Sequence, residues 1–264
     1  MDLDPQTHQQ RPGVEFIPMP YGPALRRFPA RPNGRKTDLR NKRRARRVDV
    51  ISAHWENAPL TIGATTPVPL VYDFSGFPEK YYRVTYPAPG APALARRVRQ
   101  LVGAQTPVGE EPARGLDHGA YVPLTVMYPQ ADVPVLQISM PSLNATQLLT
   151  LGRQLAPLRD EGVLIMGSGF LTHGLPFLTD FRPDAPPPGW SKEFDAWAAE
   201  TLARGDVDAL VDYRRTAPGL PYAHPTVDHF VPLFVALGAS LDETPRTVID
   251  GYFLGLSKRS VEFA

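Results

Sequence analysis

From Val48 onward the chain alternates short apolar runs with amphipathic stretches, and this alternation restricts the fold more than any other feature. Val48-Asp49-Val50-Ile51-Ser52 has the length and β-branched content of a buried strand, and it delivers Ala53-His54-Trp55 at its C-terminal end. Ala91 to Val102 sets Leu94, Val98, Leu101 and Val102 on one helical face, and Val133 to Met140 forms a second strand. Asn144 is placed to cap a helix whose Leu148, Leu151, Leu155 and Leu158 share a face and which ends near Gly162. A third strand, Val163 to Met166, runs into Gly167-Ser168-Gly169, which its glycines predict to be a turn. Ser191 opens a helix that stops at Gly205, and Asp206 caps the next. Thr226 caps a helix over Val227 to Leu237 in which Pro232 falls deep enough to introduce a kink. Thr247 to Phe263 reads as one or two strands broken at Gly251 and Gly255. The expected class is α/β: a single-domain sandwich with a largely buried mixed sheet flanked by helices.

The first 47 residues break this pattern. Arg26 to Arg47 (RRFPARPNGRKTDLRNKRRARR) is dense in basic side chains, holds one acid, Asp38, and has almost no apolar periodicity. Residues 1–47 are expected to be an atypical, poorly packed basic segment, with at most a short polar helix over Leu39 to Arg46. Residues 48–264 form the folded domain. A nucleic-acid arm would need aromatic residues interleaved with the basic ones, and Arg26 to Arg47 offers only Phe28. The formal net charge of +1 over the whole chain gives no general attraction to nucleic acid or to a membrane surface. The opening MDLDPQTHQQRPG has no basic region followed by an apolar one, and no apolar run approaches the ~20 residues needed to span a bilayer. A cytoplasmic location is the expectation. The 31 prolines are spread along the chain, which suits rigid loops rather than a proline-rich linker.

With no cysteine, a disulfide framework and thiolate-bound zinc are both excluded, so any metal must be held by His, Asp or Glu. Six histidines are present: His8, His54, His118, His173, His224 and His229. His54 ends a strand, His118 lies in the turn-rich Arg114-Gly115-Leu116-Asp117-His118-Gly119, and His173 follows the third strand. His229 is expected in the first turn of its helix, behind Asp228. Open α/β sheets gather their sites at strand ends, where loops from several elements converge. None of these histidines has the local two-ligand spacing of HExxH, so spacing alone leaves each open to a structural or a chemical role.

A series of short segments carries more information. They are Ser52-Ala53-His54-Trp55, Tyr72 to Pro78 (YDFSGFP), Tyr86 to Gly90 (YPAPG), Arg114 to Gly119 (RGLDHG), Met127-Tyr128-Pro129 with Asp132-Val133-Pro134, and Leu158 to Gly162 (LRDEG). Gly167-Ser168-Gly169, Thr172-His173 and Pro225 to Phe230 (PTVDHF) complete the series. In this order, over roughly four-fifths of the chain, they are similar to the 4,5-DOPA dioxygenase family of class III extradiol ring-cleaving dioxygenases.

The resemblance implies a metal-dependent enzyme that inserts O2 into a catechol-type, DOPA-like ring. It places His54 and His229 at metal-ligand positions, and His173 as a ligand or as an active-site histidine beside the metal. His118 takes the acid/base position, so His118 and His173 are the implied catalytic pair. Fe(II) is the implied metal, with Zn(II) as the alternative, since neutral imidazoles suit both. His224, five residues before His229, is a candidate substrate contact or a loop histidine. Asp117 and Asp228 adjoin site residues and could orient an imidazole. Tyr72, Phe74 and Phe77 could line a pocket for the ring or pack in the core.

The family pattern begins with a strand running into His-Gly-Ser-Pro, whose histidine is the first metal ligand. Here the matching region reads Glu15-Phe16-Ile17-Pro18-Met19-Pro20-Tyr21-Gly22-Pro23, and the histidine is absent. This departure implies weaker metal binding, or a catalytically impaired member. A shifted reading frame or start would account for so abrupt a change near Val48, and a single uninterrupted frame on resequencing would exclude it.

Overall fold

In the computed structural model the described residues are 14–18, 45–103, 106–240 and 243–263. The first half runs β1 (Val14–Pro18), β2 (Arg47–Glu56), β3 (Thr61–Ile62), α1 (Pro92–Val102), β4 (Gly109–Glu110), α2 (His118–Met127) and β5 (Val135–Met140). It continues through α3 (Ala145–Leu155), α4 (Pro157–Asp160), β6 (Val163–Gly169), α5 (Gly189–Ala203), α6 (Val207–Val211), α7 (Tyr213–Thr216), α8 (Leu220–Ala223) and α9 (Pro232–Ala239). The end is β7 (Pro245–Ile249), β8 (Tyr252–Phe253), β9 (Leu256–Ser257) and β10 (Ser260–Phe263).

The sheet order is β4-β3-β5-β2-β6-β1-β10-β7, with β8 and β9 forming a separate hairpin. β5, β2, β6 and β1 run parallel, while β10 is antiparallel to both β1 and β7. This is the expected mixed sheet of an α/β fold. Successive β2 residues serve opposite faces. Val48 and Val50 pack with Tyr121, Leu124 and Met166, whereas Ile51 joins Leu94, Leu148, Phe234 and Val235. Helices therefore cover both faces, which is why the central strands are apolar on both sides. Among the described residues no helix is long and apolar enough to cross a membrane.

Several local expectations hold. Asn144 caps α3 by accepting from the Gln147 amide at 3.1 Å, and Asp206 caps α6 by accepting from Ala209 at 3.0 Å. Leu148, Leu151, Leu155 and Leu158 are all buried, although Pro157 divides the helix into α3 and α4. Gly162 then turns the chain at φ +80°, and Gly251 and Gly255 do the same around β8 at +92° and +78°.

Two expectations are corrected. Gly167-Ser168-Gly169 is strand, not turn: β6 continues to Gly169, paired with β1. The glycine at 167 serves close approach, since a Cβ there would lie 2.4 Å from the Pro232 carbonyl oxygen of α9. Likewise Pro232 does not kink a helix begun at Val227. It opens α9, where its missing N–H would have had no intrahelical partner. Residues 227–231 form turns ahead of it, so His229 sits in that connection and not inside a helix. The helix opened by Ser191 also starts slightly earlier, at Gly189. β1 is described as a strand of the sheet. Most of the basic cluster, residues 39–44 of the expected helix and His8 lie outside the described residues, and Ala45 and Arg46 are not helical.

Candidate active site

The C-terminal ends of the parallel strands bring four histidines together. His54 lies near the end of β2, His118 is the first residue of α2, His173 follows β6, and His229 precedes α9. Each is pinned by its backbone. Asp117 caps α2 by accepting from Ala120 at 3.1 Å, and Ser168 Oγ on β6 donates to the Gly119 carbonyl at 2.6 Å. The Phe170 amide donates to the His229 carbonyl at 2.8 Å, and the His173 amide to that of Ala223 at 2.7 Å. The ends of the central strands thus fix the backbone that carries these rings.

His54 and His118 have ring centroids 4.0 Å apart, and His54 and His229 5.0 Å. Asp73, from the connection between β3 and α1, lies between the first two. Its Oδ1 accepts from the His118 backbone amide at 3.2 Å and sits 2.7 Å from His118 Nδ1. Its Oδ2 is 2.9 Å from His54 Nδ1. Asp228 Oδ2 lies 2.5 Å from His229 Nδ1. Burial alone would raise both carboxyls. Their imidazole partners more than reverse this, His118 and His54 for Asp73 and His229 for Asp228, and hold both well below the usual carboxylate range. Burial pushes the His229 imidazole down and so favours the neutral ring, an effect that Asp228 partly offsets.

Of the two aspartates adjacent to site histidines, Asp228 orients one and Asp117 does not. Asp117 instead caps α2 and is bound by Gln137 and Arg114. Asp73 takes the orienting role for His118. Nothing in the spacing of Asp73 from His118 signals this, because the contact spans 45 residues and depends on how the loop folds back.

The remaining two histidines are placed differently. His173 lies flat on His229, with centroids 3.5 Å apart and planes within 9°. Burial and the neighbouring His229 and His224 push it down to about 2, so it is neutral. Because imidazole lone pairs lie in the ring plane, those of two stacked rings run parallel and do not converge on one point. His224 is turned into the core against Phe194 and Phe230, with Nε2 2.8 Å from the Leu171 carbonyl, away from the clustered rings. Burial pushes it down to about 4. Phe74 stands edge-on to His118 at 5.4 Å, and Phe77 and Tyr82 extend that aromatic wall.

The donor set suits a metal. With each Nδ1 facing an ionised carboxylate, His54 and His229 keep bare Nε2 atoms, the arrangement common to metal-binding histidines. Those two atoms lie 3.2 Å apart. Two lone pairs at that distance repel unless a proton or cation lies between them, and an ion bound at about 2.0–2.1 Å reaches both. His54, Asp73 and His118 also bring ligand atoms within 4.8 Å of one another. An ion there would compete with the contacts that fix two rings, whereas the Nε2 pair has no such competitor.

Comparison with known proteins identifies the family. The family described as "Catalytic LigB subunit of aromatic ring-opening dioxygenase" matches residues 36–254. A 4,5-DOPA dioxygenase extradiol from Beta vulgaris is 43% identical over 206 residues, 76% of this chain and 75% of the relative. One from Escherichia coli K12 is 36% identical over 225 residues, 83% of this chain and 82% of the relative. The crystal structure of uncharacterized protein JW3007 from Escherichia coli K12 matches with a TM-score of 0.77 at 31% identity, covering 96% of this chain and 100% of that one. With its histidines gathered at the strand ends and its match to the family over most of its length, the chain belongs to the LigB family and is a class III extradiol, aromatic ring-opening dioxygenase.

Proposed function

We propose that the protein opens a catechol-type, DOPA-like ring with O2, using Fe(II) held by His54 and His229. The observation that carries this reading is the opposed Nε2 pair at 3.2 Å, each ring backed by its own carboxylate. Fe(II) held by His54 and His229 would supply the Lewis-acid and redox chemistry that activates a catechol toward O2. His118 acts as acid and base: with Nδ1 tied to Asp73, its Nε2 accepts a catechol hydroxyl proton and later returns it. Asp73 stabilises the imidazolium formed in between, as an ionised partner should. His173, neutral and stacked on His229, fixes that ring's plane and keeps water from its face. The Phe74 wall offers the catechol an apolar surface. Zn(II) is the other ion that this donor set suits.

Anaerobic loading with Fe(II), addition of L-DOPA, and measurement of oxygen uptake with the yellow ring-opened product test the proposal. Turnover that His229→Ala lacks is expected. A fully loaded protein that consumes no oxygen with L-DOPA, catechol or protocatechuate overturns it. A second reading, an impaired family member, draws on Pro18, which ends β1 in register with Gly169 near the position where the family pattern has a histidine. Substoichiometric metal together with absent turnover favours that reading.

A further inference from the structure

Large hydrophobic side chains that remain exposed are few among the described residues: Val126, Phe177, Phe181 and Tyr222. The last three belong to two segments that meet beside His173, the loop that follows it and α8. Phe177 is 42% and Tyr222 51% exposed, yet their rings contact each other edge to face at 5.0 Å. Phe181, in the same loop, is 65% exposed.

This pair is held rigidly. A Cβ at Gly174 would lie 2.0 Å from the Tyr222 carbonyl oxygen and 2.7 Å from the Trp190 ring, so the loop is seated directly on α8. The Phe177 amide donates to the Gly174 carbonyl at 3.0 Å, and Leu178 is buried with Ala53 and Phe170. On the other side Gly219, at φ +68°, starts the turn in which the Tyr222 amide donates back to it at 3.0 Å. Both segments join the site through the 2.7 Å bond between His173 and Ala223, and His173 stacks on His229. An exposed apolar patch on well-anchored backbone marks a recognition surface more than a packing defect, and rigid aromatic rings lose little entropy on contact.

We infer that Phe177 and Tyr222 form the specificity rim of the site and receive the ring substituent of the substrate, packing on its carbon chain and so selecting chain-bearing catechols over bare catechol. The occupant is the substrate because both segments reach His229 through the His173–Ala223 hydrogen bond and the His173–His229 stack. The inference rests on the ring-cleavage reading for its substrate class, so its test is equilibrium binding, separate from turnover.

The Fe(II)-loaded protein is titrated anaerobically by calorimetry with catechol and with 4-propylcatechol. Wild type is expected to bind 4-propylcatechol about tenfold more tightly, the scale of a few buried methylenes. Phe177→Ser and Tyr222→Ser should remove that preference and leave catechol affinity within about twofold, while Phe177→Leu and Tyr222→Phe, which keep apolar surface, should retain most of it. Equal affinities in wild type, or equal losses for both ligands in the serine variants, overturn the inference. So does a wild-type dimer that the serine variants lose in light scattering, which would assign the patch to a second copy of the chain. A binding preference without oxygen uptake sinks the ring-cleavage activity and supports the rim; turnover without a preference does the reverse.

Discussion

His54 and His229, 175 residues apart in sequence, meet with their Nε2 atoms 3.2 Å from each other. Neither ring is free to turn away. Asp73 faces Nδ1 of the first and Asp228 faces Nδ1 of the second, so each ring presents its bare nitrogen to the other. Four residues, one from β2 and three from two connections, thus hold two lone pairs in an arrangement that a cation relieves.

His229→Ala is expected to reduce metal content to background. Asp228→Asn keeps the size of the side chain but weakens the acceptor behind Nδ1, and metal affinity should fall about 10–100-fold. Competition with a chelator of known affinity measures both. Wild-type affinity in Asp228→Asn would remove the carboxylate from the account.

Asp73 bridges two histidines with different proposed tasks, and variants should separate them. His118→Gln is expected to keep its metal while kcat falls about 10²-fold or more, the usual loss of a general acid/base. Asp73→Asn should lower both metal affinity and kcat, because it loosens His54 as well as His118. Metal analysis alongside steady-state kinetics checks this; full metal retention in Asp73→Asn contradicts the bridge.

Asp49 lies fully buried in β2, and neither carboxylate oxygen has a hydrogen-bond partner among the described residues. Burial pushes it up to about 8 from 3.8. A carboxyl raised on folding is held neutral by the fold, so its stability cost grows as pH rises from about 4 to about 8 and levels off above. Asp49→Val should therefore stabilise the protein by about 1–3 kcal/mol near pH 8 and by less near pH 4. Thermal melts at the two pH values measure the difference, and a gain that shrinks with rising pH contradicts the assignment.

Gly167→Ala forces a methyl group against the Pro232 carbonyl oxygen, 2.4 Å away on a packed helix. Overpacking of this kind costs about 1–3 kcal/mol. Gly189→Ala is the control, since its Cβ would meet only Glu193 Oε1, at 3.9 Å. Urea denaturation should show a lower midpoint for the first and little change for the second.

Much of this was legible along the chain. Apolar runs set β2, β5 and β6 and caps set α3 and α6, because strand and helix periodicity and capping are local properties; the resemblance carried by the ordered short motifs pointed to His54, His118, His173 and His229. The sequence by itself therefore determined the α/β class, the absence of thiolate ligands and the imidazole character of the site. It did not determine that Gly167 continues a strand, that Pro232 opens α9, that His173 stacks flat while His224 turns into the core, or that Asp73 rather than Asp117 orients His118. Each of those depends on which distant backbone or ring approaches within a few ångströms. Only the packing of helices and loops against the sheet decides that distance.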